Sequence, residues 1–163
     1  MVTPILRALN AAMGPRLPGW TFGIGNAEGS KPSVNRLHWE FTGGEVEGGY
    51  QADRVAQTIS IRAVGLTVVI RARRVASQTG AAGLNDLDYE LAERALREVH
   101  IALDNLCSGD WQMGNEEWPN SSEPDAACVE VRQQLVIKVK VQHDKYTKVT
   151  PETTEAEGEI VDG

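Results

Sequence analysis

The chain has 163 residues, 41% of them hydrophobic, and a formal net charge of −7. That length suits one domain, which buries roughly 70% of the surface its unfolded chain would expose. No apolar run approaches the roughly 20 residues of a membrane helix, and no basic-then-apolar export signal opens the chain. The negative charge argues against nonspecific nucleic-acid binding, which depends on Lys and Arg. We therefore expect a soluble protein that does not bind a membrane.

The negative charge is concentrated at the C terminus. Residues 149–163 contain five acids and no base, so they account for five of the seven net negative charges. Their low hydrophobicity and like charges cannot offset the entropy of ordering. We expect residues 149–163 to be a disordered acidic tail and residues 1–148 to form a single α+β domain. Cys107 and Cys128 have no metal-type spacing, and we favour free thiols over a disulfide between them.

The first elements are marked by turn residues. Thr3 as N-cap and Pro4 as the first helical residue predict a short helix that ends at Gly14. A strand is predicted over residues 20–25, and a loop of turn formers follows it. A second strand alternates apolar and polar residues around Trp39 and ends at Gly43-Gly44. The glycine-rich stretch over residues 43–53 is then predicted to be an exposed excursion.

The next segment, residues 55–74, is strand-like, but its apolar positions change phase near Gly65. A straight strand of that length exceeds the usual 3 to 10 residues, so we expect a bulge, a bend or a tight reversal there. The sequence does not distinguish among a bulge, a bend and a reversal at this position.

A long helix and a long strand complete the pattern. Residues 85–107 predict the helix, with one apolar side formed by Leu87, Leu91, Ala95, Val99, Leu103 and Leu106. Residues 129–142 alternate apolar and polar side chains, broken only at Gln133 and Val136, which is typical of a sheet buried on one face. We expect Leu91, Leu103 and Val139 in the core. The predicted fold class is α+β, a mixed or antiparallel β-sheet covered on one face by a long helix, with a short N-terminal helix.

Groups that could carry chemistry are dispersed. His38, His100 and His143 lie in different elements and in no metal or nucleophile motif, so we interpret each as a surface or satisfied histidine. The glycines of GIGNAEG fit a plain turn better than a dinucleotide loop. Asp86 and Asp88 suit the first turn of a helix for capping and dipole reasons. The sequence therefore predicts no catalytic residue, no cofactor and no metal.

Two features are candidates for subunit contacts. Basic residues of two strands could form a strip on the wet side of the sheet, namely Arg71, Arg73, Arg74, Lys138 and Lys140. The strip is either a solvated face or a charged contact with a neighbouring subunit. Trp111 and Trp118 lie in a polar, turn-rich segment, where they are either core residues under a hairpin or anchors at an interface.

The order and character of these segments resemble those of the tail terminator proteins of long-tailed bacteriophages, of the lambda type. The resemblance extends from about Pro4 to His143 and rests on the short N-terminal helix and the segments LHWEFTGGEVEGGY, TISIRAVGLTVVIRARR, NDLDYELAERAL and VEVRQQLVIKVKVQ. The acidic tail departs from the family, and no role is transferred to it.

The resemblance implies a structural virion protein. Members of this family form a homo-hexameric ring at the head-proximal end of the tail, where they stop polymerisation of the tail tube protein and join the neck or head-completion protein. The DNA passes through the ring without specific binding, and assembly takes place in the host cytoplasm. In such a ring we expect the basic strip to face Glu45 and Glu47 of the next subunit. A neck protein and, less favoured, a small enzyme are the alternatives.

Overall fold

The fold is described from a computed structural model, which covers residues 2–25, 34–52, 57–74, 86–119 and 127–144. Within 45–52, 57–60 and 141–144 it describes the backbone alone. Two helices and five strands follow one another as α1 (Thr3–Met13), β1 (Thr21–Ile24), β2 (Arg36–Ala52), β3 (Gln57–Arg73), α2 (Asp86–Leu106), β4 (Trp111–Glu117) and β5 (Cys128–Asp144). The predicted α+β class is confirmed. The predicted acidic tail, residues 149–163, lies outside the described residues.

The five strands form one mixed sheet in the order β1-β2-β3-β5-β4. The β1 strand runs parallel to β2, and β4 runs antiparallel to β5. At one end of β3 the backbone N–H of Arg74 donates to the carbonyl of Ala127, and further along Arg71 pairs with Glu130. Residue numbers therefore fall on β3 as they rise on β5, so these strands are antiparallel.

The chain divides into two compact units. The first comprises Met1–Glu45 and Arg62–Val139, and it contains both helices, β1, β4 and the greater part of β5. The second comprises Val46–Ile61 and Lys140–Gly163. Its described part consists of strand backbone from β2, β3 and β5 together with the side chain of Lys140 and that of Ile61. The buried core described below belongs to the first unit.

The helices pack on one face of the sheet. On α1 the buried side chains follow helical spacing, and Trp39 of β2 donates its indole N–H to Asn10 Oδ1 at 2.8 Å. On α2, His100 Nε2 donates to Gln133 Oε1 of β5 at 2.6 Å. The largest apolar side chains buried between helices and sheet are Leu6, Leu9, Met13, Leu37, Trp39, Leu66, Ile70, Leu103, Leu135 and Ile137.

Three strand predictions need correction. The predicted end of the second strand at Gly43-Gly44 is wrong, because β2 continues as strand to Ala52. The predicted irregularity near Gly65 is not a tight reversal, since β3 runs as one strand from Gln57 to Arg73. The segment that begins at Trp111 is a strand, β4, which ends just before Trp118 and whose pairing with β5 shifts register between Met113 and Glu116. The sequence did not predict β4 as a strand, because an edge strand has few buried positions and the composition of this one is polar.

Helix α1 begins one residue earlier than predicted. Thr3 is itself helical, Val2 occupies the N-cap position, and no side chain caps the helix. Its end at Met13 agrees with the prediction, and a short 3₁₀ turn over Gly14–Arg16 follows. The Arg16 side chain then pairs with Glu98, which ties the end of this turn to α2.

The predicted apolar side of α2 is wrong at its ends. Leu87 is 48% exposed and Leu106 is 49% exposed, while Leu91 is only partly buried. The inner face includes the predicted Ala95 and two further small residues, Ala92 and Ala102. The buried face also takes in Leu96, which the predicted stripe left out. Leu103 and Val139 are buried as predicted. Neither described helix is long and apolar enough to cross a membrane.

Candidate functional site

A chain of charged hydrogen bonds crosses the sheet on the face opposite the helices, which we call the open face. His38 Nε2 donates to Glu40 Oε2 at 3.0 Å, and Arg132 donates from Nη2 to Glu40 Oε1 at 2.7 Å. Arg132 Nη1 also donates to Glu130 Oε2 at 3.2 Å, and Arg71 Nε donates to Glu130 Oε1 at 2.9 Å. We call these five residues the charged network. It links strands β2, β3 and β5.

The charged network covers part of the open face. Thr42 lies against Gly65, and Gly44 lies against Ala63, which sets the register of β2 and β3. The same register places Glu40 opposite Thr67 of β3. Thr67 is 5% exposed and Val69 is fully buried, although both alternate toward the open face. The Glu40–Arg132 bridge spans β3 above these two residues and accounts for their burial.

His38 is the most unusual member of the charged network. Its side chain is fully buried, and a carboxylate can only accept, so Nε2 carries the proton given to Glu40. Its Nδ1 is buried with no hydrogen-bond partner. Burial lowers the pKa of His38 below its usual value; the Glu40 carboxylate opposes this shift, and the charges of Arg71 and Arg36 add to it. His38 is therefore held neutral, which corrects its interpretation as a surface or satisfied histidine.

The carboxylate and guanidinium that join β2 to β5 are both held in their charged forms. Burial alone would raise the pKa of Glu40, but the hydrogen bond from His38 and the charge of Arg132 lower it overall. Burial alone would lower the pKa of Arg132, but its bonds to Glu130 and Glu40 raise it overall. With His38 neutral, the two acids and two arginines of the charged network balance. Such a paired set fixes strand register more than it attracts a charged ligand.

The predicted basic strip is not one continuous patch. Arg71 belongs to the charged network, and Arg74 Nε lies 3.9 Å from Oδ2 of the buried Asp88 at the start of α2. Arg73 is exposed. Lys138 lies eight residues beyond Glu130, the partner of Arg71, which is roughly 25 Å along β5. The structure thus separates the arginines from Lys138.

The remaining members of the predicted contact stay a hypothesis. Lys140 is exposed and belongs to the second compact unit. Glu45 and Glu47 lie on β2, but their side chains are outside those that the structure describes. Whether they face the basic strip of a neighbouring subunit therefore stays a prediction.

The two tryptophans both contact α2. Trp111 stacks on His100 with ring centroids 5.7 Å apart and donates to Asp104 Oδ1 at 3.0 Å. Trp118 lies 5.6 Å from the ring of Tyr89 and donates to Glu116 Oε2 at 2.8 Å. Both are half-buried. They attach the edge strand β4 to both ends of α2. Packing within the subunit therefore accounts for much of the buried surface of each indole ring.

A depression of about 290 Å³ lies beside the charged network on the open face, and we call it the glycine depression. A Cβ added to Gly65 would lie 3.0 Å from Thr42 Oγ1, so a larger residue here would make the Thr42 side chain shift. The depression is lined by Thr42, Gly43, Gly44, Ala63, Gly65 and Val136.

Groups suited to metal or thiol chemistry do not cluster in the described part of the chain. That part contains no set of three or more His, Cys, Asp or Glu side chains that could hold a metal ion. Cys107 and Cys128 are not joined by a disulfide, as favoured from the sequence. Burial, together with the charge of Asp110, raises the pKa of the Cys107 thiol, so this thiol stays protonated and unreactive.

The charged network and the glycine depression were both missed from the sequence. A usable signal existed for the network, because alternate positions carry a histidine and an acid at His38 and Glu40, and opposite charges at Glu130 and Arg132. Choosing the partners requires the strand order, which places β3 between β2 and β5. For the depression the signal was the small residues that β2 and β3 share at one level of the sheet.

No family model matches the chain, and no curated protein matches it.

Proposed function

We propose that the chain is a structural virion protein, a phage tail terminator that forms a hexameric ring and ends polymerisation of the tail tube. One face of the ring would bind the tube protein, and the other would bind a neck or head-completion protein. The proposal includes no catalytic step and no cofactor. DNA would pass through the ring without specific contacts, and a nearly neutral protein body suits that passage.

The observation that supports the proposal most is the order and length of the elements. A short helix precedes β1, the long strands β2 and β3, a covering helix and a final strand pair. This is the order on which the resemblance to tail terminators rests. Two features were not used in that resemblance, namely the parallel strand β1 and the strand character of β4.

Long strands whose neighbours in the sheet are short also suit a subunit that assembles with other chains, because part of each long strand has an unpaired edge. β1 pairs with β2 only from Arg36 to Trp39, although β2 extends to Ala52. β4 pairs with β5 over residues 132–137 of a strand that ends at Asp144. The described strands therefore leave lengths of sheet edge for contact with other chains, and such edges pair readily.

The mass of the purified protein tests the structural class. Sedimentation velocity and native mass spectrometry should find a ring of six copies, or a monomer that becomes a ring when tail tubes are added. Electron micrographs of such tubes should show the protein at one end. Binding along the whole tube, or no binding at all, would contradict the proposal. Binding to isolated heads or portals without tubes would favour the neck protein.

A further inference from the structure

Two buried nitrogen atoms of strand β2 have no hydrogen-bond partner. They are Nε of Arg36 and Nδ1 of His38. The two residues are two positions apart on β2, so both side chains lie on the open face of the sheet. In the part of the chain that the structure describes, no other buried side-chain nitrogen or oxygen lacks a partner. Buried polar groups are nearly always hydrogen-bonded, so this pair requires an explanation.

The two nitrogens have complementary hydrogen-bonding capacity. His38 donates its Nε2 proton to Glu40, so the neutral ring presents a lone pair at Nδ1, which can only accept. Arg36 Nε carries a hydrogen and can only donate. A ligand that satisfies both atoms must therefore accept from the guanidinium and donate to the imidazole.

Gly23 of β1 leaves room beside these two side chains. It lies opposite His38 in the parallel register of β1 and β2. A Cβ added to Gly23 would lie 3.3 Å from Nη2 of Arg36 and 3.9 Å from Cβ of His38, and apart from its chain neighbours no third described atom would lie within 4 Å. The Arg36 guanidinium and the His38 side chain therefore border one space, above a residue that has no side chain.

We propose that one ordered water molecule binds in this space and joins Arg36 Nε to His38 Nδ1. The water accepts a hydrogen bond from the guanidinium and donates one to the imidazole. Water suits the pair better than an anion does, because a chloride ion or an ionised carboxylate only accepts and would meet the lone pair of Nδ1. The burial of both nitrogens excludes a larger ligand. Buried waters in folded proteins commonly satisfy polar groups of this kind.

The bound water extends the charged network to Arg36 and gives His38 a partner on each ring nitrogen. A donor at Nδ1 keeps the imidazole proton on Nε2, where it meets Glu40, the acid that Arg132 bridges from β5. Arg36 is thus a positioning residue that acts on the network through the water. The water lies inside one subunit, so this inference is independent of the proposed ring and of the proposed function.

Nitrogen NMR of the full-length protein, labelled with ¹⁵N at histidine, tests the bond to Nδ1. The signals of His38 are assigned by their loss in His38→Gln. At a pH where His38 is neutral, Nε2 should carry the proton, and the Nδ1 resonance should be displaced toward the protonated value, as an accepted hydrogen bond requires. Water-to-protein cross-relaxation should detect a long-lived water beside the ring. An undisplaced Nδ1 resonance, or a proton on Nδ1, would overturn the proposal.

Substitution of Arg36 tests the other end of the bridge. Arg36→Met removes the donor, so the water signal should be lost and the Nδ1 resonance should return most of the way to that of an unbonded imidazole nitrogen. Arg73→Met is the matched control, because Arg73 is an exposed arginine and its loss removes the same charge. The control should leave both signals unchanged. Equal effects of the two substitutions would show that charge alone acts on His38, and the bridge would be wrong.

The space above Gly23 gives a second, independent test. Gly23→Ala places a methyl group beside both side chains and should displace the water, with the same loss of the Nδ1 displacement. Circular dichroism shows whether each variant is folded. If the variants do not fold, a crystal structure of the unchanged protein decides, and it should contain one water within hydrogen-bond distance of both nitrogens. A side chain in that place, or bromide found there by anomalous scattering after soaking, would overturn the proposal.

Discussion

Replacing Leu103 with alanine tests the packing of α2 on the sheet. Leu103 is fully buried, so the substitution removes buried methyl groups and leaves a cavity between helix and sheet. Such truncations cost about 2 to 5 kcal/mol of the free energy of unfolding. We expect about 3 kcal/mol or more at this site, because its backbone lies on a long helix that cannot collapse locally into the space.

The matched control is Leu106→Ala, three residues further along α2. Leu106 is 49% exposed, and its truncation should cost less than about 1 kcal/mol. Urea unfolding followed by circular dichroism measures both variants, and the midpoint should fall with an unchanged slope. In thermal unfolding, Leu103→Ala should lower the Tm by roughly 5 to 15 °C. Equal losses for the two leucines would refute the orientation of α2.

Three further predictions concern charged groups and the C terminus. His38 is held neutral, so the unfolded chain takes up a proton that the folded chain does not, and the free energy of unfolding should fall as the pH drops below about 6.5; His38→Gln should flatten that slope in denaturant titrations at several pH values. Arg71→Glu places a second acid against Glu130 and should lower the Tm, whereas Arg73→Glu, at an exposed position, should not. The Arg73→Glu variant therefore tests whether the basic strip contributes to the proposed ring without disturbing the fold. If this variant forms rings as the unchanged protein does, Arg73 is only a solvent-exposed residue. Removing residues 149–163 should leave the Tm within a few degrees of the full chain, because the acidic segment has too little apolar surface to dock; a large loss in calorimetry would make it part of the fold.

The alternation of side chains predicted much of the fold. β5 was identified by its pattern, and Gln133, which breaks it, keeps its inward direction because His100 supplies a hydrogen-bond partner. β4 was missed, because most of its side chains are exposed and its apolar content is low. The end of β2 was placed too early, since glycines normally signal a turn. At Gly44 and Gly65 they instead allow two strands to lie close together.

The candidate surfaces were harder to predict, because they depend on which strands are neighbours. The sequence placed Arg71, Arg74 and Lys138 in one strip, since strand alternation alone cannot show partners. Arg71 pairs with Glu130 and Arg74 pairs with Asp88, so both arginines make contacts within the subunit. The glycine depression requires β2, β3 and β5 at one level, and that arrangement becomes visible only when the sheet order is known.

The length of phage tails tests the central proposal most directly. The proposal implies that a tailed phage encodes this chain, and that a stop codon early in its gene should produce tails of uncontrolled and often excessive length, measured in negatively stained micrographs. Supplying the intact protein should restore one uniform length and the joining of heads. Tails of normal length that only fail to join heads would contradict the terminator role and indicate a neck protein.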